Sequence, residues 1–277
     1  MKVLVTGSSG YIGSSFIRQY QTQYQFQTFS LLHQKLEALD LYDIDAVLHC
    51  AALVHDKKEQ NHDRYYEINV AYPLALAQKA KTAGVEHFIF LSTIAVYGDD
   101  ITTINEYSPV NPTSPYGRSK QKAEEALKEL ESKQFKISII RIPMIYGENA
   151  PGNIALLTKM IQKIPILPFA NIDNRRSFLY IDNLTNFIDK VIAHRLAGIF
   201  LVSDDQAVST TQFIERLAKT LNRKVILVRI PFFTRLLKYL KPRIYDKLYN
   251  NLVIEGESNL HLYTLPLPCN NKHTLLT

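Results

Sequence analysis

The chain begins with a short apolar run, Lys2-Val3-Leu4-Val5-Thr6, that stops at a cluster of glycines. Apolar runs of this length, bounded by turn residues, predict buried strands. Behind it, Ile12, Phe16, Ile17 and Tyr20 recur at helical spacing and predict a helix over 11–20. Strand patterns return at 26–32, 46–50, 87–92, 136–141 and 198–202, with helical patterns between most of them, notably at 63–83 and 116–132. Strands alternating with helices predict an α/β fold, a doubly wound parallel sheet with helices on both faces. Only 36 residues separate Gly13 from His49. The second crossover is therefore expected to shrink to a loop or a single turn.

After Arg141 the texture changes. Pro143, Pro151, Pro165 and Pro168 interrupt short helical pieces. A helix is expected at 210–221, a strand at 224–228, and another helix from about Pro231, since proline suits a first turn.

Composition narrows the field. The chain has 277 residues, 46% hydrophobic and 21% charged, which excludes a disordered polymer. Two cysteines, Cys50 and Cys269, exclude a disulfide framework. No apolar run reaches the length of a membrane span. The opening MKVLVTG enters a strand pattern at once, so no signal peptide is expected there and the cytoplasm is the expected compartment. The net charge of +6 is unevenly spread. Residues 1–140 carry 14 Lys+Arg against 16 Asp+Glu, and residues 141–277 carry 18 against 10. The basic half could meet nucleic acid, an anionic membrane surface or a phosphorylated small molecule.

The turn Thr6-Gly7-Ser8-Ser9-Gly10-Tyr11-Ile12-Gly13 joins the first strand to the first helix. Glycines at this spacing allow positive φ, close approach of backbone to a pyrophosphate, and tight helix–strand packing. The helix N-terminus then offers N–H groups and a partial positive charge to phosphates. A dinucleotide is the expected ligand; a ligand-free glycine turn is the bland alternative. The acid that often follows the second strand to bind ribose hydroxyls is absent before Glu37. His33 and Lys35 stand there instead, either facing a 2′-phosphate or merely solvated, so NADP is favoured without excluding NAD.

Tyr116 and Lys120 lie at i and i+4, on one face of the predicted helix. A tyrosine near such a lysine can exchange a proton with a carbinol, because the ammonium favours the phenolate. The pair alone also fits an ordinary surface helix. Ser92 and Thr93 follow the apolar strand run at 87–90, at the carboxyl end where doubly wound sheets bind ligands.

Together these pieces resemble an extended short-chain dehydrogenase/reductase of the NAD-dependent nucleotide-sugar epimerase/dehydratase family. The matching segments are TGSSGYIG at 6–13, HCAA at 49–52, Asn69-Val70, LSTIAVYG at 91–98, YGRSK at 116–120, and RSFLYIDNL from Arg176. The resemblance implies a Rossmann domain over 1–165, completed by about 177–203, with a smaller C-terminal substrate-binding lobe over 166–277. It implies a catalytic triad of Thr93, Tyr116 and Lys120. NAD or NADP would lie on Gly7, Ser9, Gly10, Tyr11, Ile12 and Gly13, with His33, Ala51, Ala52, Leu53, Ser92, Pro143 and Ile145 also on the cofactor side. A UDP-sugar would meet Thr93, Arg176 as a pyrophosphate clamp, and Asn153, unless Asn153 is only a helix cap. Asp40 is either an adenine contact or a loop acid. The activity implied is 4-ketoreduction of a UDP-4-keto-6-deoxy-N-acetylhexosamine in surface polysaccharide synthesis, or alternatively UDP-glucose or UDP-N-acetylglucosamine 4-epimerisation. A homodimer through the helices at 63–83 and 116–132 is a further implication. A non-catalytic dinucleotide-binding protein or membrane-associated scaffold is the reading of another class.

No histidine spacing suits a metal, so none is expected. The segment 216–247 holds ten Lys and Arg against Asp246 alone, and Phe232, Phe233, Leu236, Leu237 and Leu240 share one helical face within it. It is read chiefly as a lobe helix with its apolar stripe buried, and secondarily as a peripheral membrane contact. No nucleic-acid motif accompanies the charge.

Overall fold

The computed structural model describes residues 1–30, 34–54, 62–230 and 232–255. In chain order the elements are β1 (Lys2–Thr6), α1 (Tyr11–Tyr20), β2 (Gln25–Phe29), β3 (Ala46–His49), α2 (His62–Tyr66), α3 (Tyr72–Thr82), β4 (His87–Thr93), β5 (Thr103–Ile104) and α4 (Pro115–Lys128). Then come β6 (Lys136–Ile142), β7 (Met144–Tyr146), α5 (Gly152–Lys163), β8 (Ile166–Leu167), β9 (Phe178–Tyr180), α6 (Ile181–Ala193) and β10 (Gly198–Leu201). The last are α7 (Thr210–Thr220), β11 (Ile226–Leu227), α8 (Phe233–Leu240), α9 (Pro242–Tyr249) and β12 (Val253–Ile254).

The chain divides into two compact units. The first comprises Met1–Asp100, Tyr107–Pro143 and Ile181–Val202; the second comprises Ile101–Glu106, Met144–Tyr180 and Ser203–Thr277. The division falls at Pro143, earlier than the boundary at 165 read from the sequence. Met144–Tyr146 leaves the main sheet to pair with β9, and that pairing carries the segment into the second unit.

The first unit is a six-stranded parallel sheet in the order β10-β6-β4-β3-β1-β2. The order reverses beside β1, which pairs with β2 on one side and β3 on the other. Open α/β sheets bind ligands outside the carboxyl ends of strands at such a switch point. Strand alternation sends Leu4, Val47, Phe88 and Ile137, which are in register across the sheet, into one core with Leu76 and Ala80 of α3 and Ala123 and Leu127 of α4. The alternate residues Val3, Val5, Leu48, Ile89 and Ile140 are buried on the other side. There α1 and α6 pair, with Tyr20 donating to Asn186 at 2.7 Å and Tyr24 to Asp189 at 2.6 Å.

Among its described residues the connection from β2 to β3 holds a single 3₁₀ turn, Leu36–Ala38, in line with the short spacing. Among the described residues no strand lies outside β2. The helix predicted over 63–83 is interrupted by a π-helical turn at Glu67–Ala71. Pro73 has no N–H to give the carbonyl four residues back, and its ring crowds that carbonyl, so the preceding turn widens.

Among its described residues the second unit contains three parallel two-stranded pairs, β7 with β9, β8 with β11, and β5 with β12. Its aromatic core stacks Phe178 on Phe213 at 4.2 Å, with Tyr146 edge-on to both. The buried Tyr146 hydroxyl donates to Asp204 at 2.8 Å. Ser209 and Gln212 form a capping box at α7.

The segment after Pro231 departs from expectation in two ways. It forms two short helices, because Pro242 holds Lys241 out of helical geometry (φ −141°, ψ 63°). Its apolar stripe is also not buried: Phe232, Leu236 and Leu240 are 76, 55 and 59% exposed.

Candidate functional site

The glycine turn opens the switch point. Gly7 has φ +69°, and a Cβ there would lie 2.6 Å from the Ala51 nitrogen. A Cβ on Gly13 would lie 2.5 Å from the Gly7 carbonyl oxygen. Neither position accepts a side chain without moving backbone. Gly10 is the N-cap of α1 and supplies no side-chain cap, and the first turn carries no acid. The N-terminal N–H groups therefore face outward uncapped by a side chain, with exposed Ser9 and Gly10 and half-buried Tyr11 and Ile12 around them. This cradle fits the phosphates of a dinucleotide: small, cationic at the helix end, and at the switch point.

The loop after β3 is fixed by Asn69. Its Oδ1 accepts from Leu53 N at 2.8 Å, and its Nδ2 donates to Leu53 O at 2.9 Å and to Ser119 Oγ at 2.9 Å. Ser119 Oγ in turn donates to the Tyr116 carbonyl at 2.8 Å. Ala51, Ala52 and Leu53 are thereby tied to the helix that carries Tyr116. Asn69 sits in the π turn, whose widened geometry turns this side chain inward.

α4 begins on Ser114, whose Oγ accepts from Gly117 N at 3.0 Å, with Pro115 in the first turn. A Cβ on Gly117 would lie 2.5 Å from the Ala95 carbonyl oxygen. Glycine next to Tyr116 thus lets the helix close on the turn after β4. Lys120 is 1% exposed, with Nζ 3.8 Å from the centre of the Phe90 ring. Burial pulls its pKa down to about 7, against the opposing charge of Glu124. Burial also raises the pKa of Tyr116, with Tyr65 adding to the effect. Burial thus acts on Tyr116 against the phenolate, opposite in direction to the pull of a neighbouring ammonium.

Thr93 ends β4, and its Oγ1 accepts from Ala95 N at 3.2 Å. That bond uses a lone pair and leaves the hydroxyl proton to be donated elsewhere. Ser92, placed on the cofactor side by the sequence reading, is 2% exposed and donates instead to Glu124. Glu124 pairs with Arg141 Nη2 at 2.6 Å, and Arg141 Nη1 donates to the Tyr97 hydroxyl at 2.8 Å. This buried Ser92–Glu124–Arg141–Tyr97 chain starts next to Thr93 on β4 and passes through α4 one turn beyond Lys120. Sequence reasoning missed it. Glu124 could have been found as the residue four beyond Lys120, but Arg141 is a strand residue brought there by the fold.

His49 completes the locus. Its Nδ1 shares a 2.8 Å hydrogen bond with Thr6 Oγ1, and its ring stacks with Phe88 and Phe90. Burial, helped by the charge of Lys120, lowers its pKa to about 3, so it is a neutral structural group. Burial likewise lifts Cys50 to about 12, which leaves an unreactive thiol. Among the described residues no cluster of His, Cys, Asp and Glu could hold a metal ion.

The first unit thus carries Gly7, Ser9, Gly10, Tyr11, Ile12, Gly13, Ala51, Ala52, Leu53, Ser92, Thr93, Tyr116, Lys120 and Pro143. His33 lies outside the described residues. Lys35 is exposed, and Asp40 caps its own loop by accepting from Tyr42 N at 2.9 Å.

The second unit carries the other three. Ile145 pairs with Leu179 in β7 and β9. Asn153 is exposed within α5, whose N-cap is Pro151, so the helix-cap alternative does not hold. Arg176 is 8% exposed and bridges Val208 and Leu252 through its backbone. Its Nη1 donates to the carbonyls of Asn250 at 2.8 Å and Asp246 at 3.4 Å, at the end of α9. Burial lowers its pKa to about 10, which still leaves it cationic at neutral pH. Neighbouring Arg175 is exposed.

Comparison with known proteins sets this geometry in context. A sequence model of the NAD dependent epimerase/dehydratase family matches residues 3–202. A UDP-glucose 4-epimerase of Vibrio cholerae is 30% identical over 259 residues, covering 83% of this chain and 79% of its own. An N-acetyl-alpha-D-glucosaminyl-diphospho-ditrans,octacis-undecaprenol 4-epimerase of Escherichia coli O157:H7 is 26% identical, covering 83% of this chain and 75% of its own. Among solved structures, a UDP-glucuronic acid 4-epimerase from Bacillus cereus in complex with NAD superposes with a TM-score of 0.74 at 20% identity, over 95% of this chain and 91% of that one. A dTDP-4-dehydrorhamnose reductase from Bacillus anthracis in complex with NADP gives 0.74 at 21%, over 94% and 92%. At these identities the structures establish the shared fold.

Proposed function

The chain belongs to the NAD dependent epimerase/dehydratase family, and from that premise we propose that it is an NAD(P)-dependent oxidoreductase acting at C4 of a UDP-sugar. The preferred reading is 4-ketoreduction of a UDP-4-keto-6-deoxy-N-acetylhexosamine. The observation that carries the reading is the placement of the proton-transfer groups: Tyr116 and Lys120 stand one turn apart on α4, which closes through Gly117 on the turn after Thr93.

When bound, the dinucleotide delivers a hydride to C4 or accepts one from it. The protein's residues do the rest. Gly7 to Gly13 and the start of α1 hold the pyrophosphate. Lys120, buried beside Phe90, would take the nicotinamide ribose and set the local charge felt by Tyr116. Thr93 donates its hydroxyl proton to the C4 oxygen and polarises it, while Tyr116 protonates that oxygen as C4 is reduced. In oxidation the same proton returns to Tyr116. Ser92, Glu124, Arg141 and Tyr97 fix the end of β4 and the face of α4 that present these groups.

Arg176 is proposed to hold the substrate diphosphate. Its Nη1 already engages carbonyls at the end of α9, so the anion would take other N–H groups of the same guanidinium. Asn153 is proposed alongside it. The Vibrio and Escherichia relatives are both named for sugars joined to a diphosphate, which agrees with this role.

The second reading is a UDP-glucose or UDP-N-acetylglucosamine 4-epimerase, favoured by the name of the Vibrio relative. There Tyr116 first removes the C4 hydroxyl proton, and the 4-keto sugar turns before it is reduced on its other face. The two readings separate in one assay. The purified protein is given NADPH, and in parallel NADH, with the 4-keto-6-deoxy UDP-sugar, and separately UDP-glucose. Stoichiometric oxidation of NADPH with the keto sugar is the expected result. UDP-galactose formed from UDP-glucose without net consumption of reduced cofactor would replace the ketoreductase reading with the epimerase. Neither reaction, in a protein that binds the cofactor, would return the non-catalytic reading.

A further inference from the structure

The helices α8 and α9 combine two features that the catalytic reading does not use. At about 100° per residue, Tyr239, Phe232, Leu236 and Leu240 fall in one continuous arc of α8 and its N-cap. They are 86, 76, 55 and 59% exposed, and Ile244 of α9 is 48% exposed. Thr234 and Leu237, on the opposite arc, are less exposed. This is therefore a seated helix with its more apolar face turned to solvent. From Arg229 to Tyr249 the chain carries six Lys and Arg against one Asp. Arg235 borders the apolar arc directly, and Lys238, Lys241 and Lys247 are exposed nearby.

The pair is held firmly in the second unit. Tyr245 and Tyr249 stack at 4.7 Å, and Lys238 lies 5.4 Å over the Tyr245 ring. The end of α9 is gripped by Asn174 and Thr210, which donate to the Leu248 carbonyl at 3.0 and 2.7 Å. A rigid, cationic, apolar face limits what can cover it. In a twofold contact with a second copy, the cations of one protomer would meet the same cations of the other. A nucleic acid would leave four large apolar side chains in water. An anionic bilayer satisfies both features, since aromatic and aliphatic side chains enter the headgroup–acyl boundary while lysine and arginine meet lipid phosphates. Neither helix, at eight residues, is long enough to cross the bilayer.

We propose that α8 and α9 dock this protein on anionic phospholipid membrane, with Phe232, Leu236, Tyr239 and Leu240 inserted and Arg235, Lys238, Lys241 and Lys247 on the headgroups. The surface lies in plane with the membrane and holds no residue assigned to catalysis.

The test is flotation of the full chain with vesicles of phosphatidylglycerol and phosphatidylcholine, and with phosphatidylcholine alone, at low and high salt. Binding to the anionic vesicles that falls with salt, and little binding to the neutral ones, is expected. The Lys238→Gln, Lys241→Gln variant should bind roughly twenty-five-fold more weakly, at about fivefold per cation. Phe232→Ser with Leu236→Ser and Leu240→Ser should abolish flotation, leave far-ultraviolet circular dichroism unchanged and move the urea midpoint only slightly. Absence of flotation with anionic vesicles at low salt overturns the proposal, and so does binding that the charge variant retains in full. A concentration-dependent dimer that the triple serine variant dissolves, without flotation, assigns the face to a second copy and overturns it equally.

Discussion

In the sheet unit a lysine lies 1% exposed against Phe90, with a glutamate and an arginine paired behind it; in the other unit, lysines stand in solvent beside uncovered Phe232, Leu236 and Leu240. Of sixteen large apolar side chains exposed among the described residues, ten belong to the second unit, and half of those fall between Phe232 and Ile244. The contrast separates two uses of charge. Where a cation is buried, its protonation becomes sensitive to neighbours, and Lys120 is brought near neutrality. Where cations are solvated, they act at a distance on whatever approaches. The first arrangement suits proton chemistry, and the second suits attraction to an anionic surface.

The strongest break in the comparison is at the buried site. Tyr116→Phe removes the hydroxyl that moves the proton and leaves the ring that fills the space. It should lower kcat by about 10²- to 10⁴-fold, while cofactor binding followed by nucleotide fluorescence stays near wild type. A smaller loss would place the proton donor elsewhere.

Glu124→Ala probes the same unit through stability. It strands Arg141 in the interior without its carboxylate and should cost about 3–5 kcal/mol in urea unfolding. The counterpart in the second unit is Arg176→Leu, which leaves the Asn250 and Asp246 carbonyls without that donor. A cost of about 1–3 kcal/mol is expected, since the lost partner is a hydrogen-bond donor to neutral groups. Equal costs would erase the distinction between a buried ion pair and a capped helix end.

Burial of Lys120 has a further consequence. Its pKa is about 7 in the folded chain and 10.5 for a free side chain. Between those values the unfolded chain holds a proton that the folded chain has released, so raising pH through this window stabilises the fold. Lys120→Met removes that contribution. Stability of the wild type relative to the variant should therefore rise from pH 7 to pH 9.5, a window chosen from roughly those two limits. Parallel curves would mean that Lys120 keeps its proton when buried.

Much of this was legible in the sequence. All six strands of the main sheet were predicted within a few residues of their ends, because each is an apolar run punctuated by turns. The glycine cradle, Thr93 at a strand end and Tyr116 with Lys120 on one helix also follow from spacing alone. What spacing does not encode is contact between distant segments. Nothing local joins Glu124 to Arg141, or Arg176 to the end of α9. The π turn required combining Pro73 with the inward pull of Asn69. The two-residue strands of the second unit are too short for any period to show. The stripe of α8 was visible, but amphipathic periodicity is the same whether the apolar face meets a core or meets water. The burial assumed for it was wrong for that reason.

The smallest expected effect bears on that last point. Leu127, fully buried on α4, should lose about 2–5 kcal/mol on replacement by Ala, through lost transfer energy and the cavity left behind. Leu236 is 55% exposed, and Leu236→Ser should change the free energy of urea unfolding by no more than about 0.5 kcal/mol. Serine in a solvated helix costs only a little propensity, and the hydroxyl is hydrated on both sides of the unfolding transition. If Leu236→Ser instead cost about 2 kcal/mol or more, the side chain would be covered in the folded protein in solution. Repeating the measurement at tenfold lower protein concentration would then identify the cover: a loss that shrinks on dilution belongs to a second copy, and one that does not belongs to the chain itself. Either result would make the second unit as closed as the first.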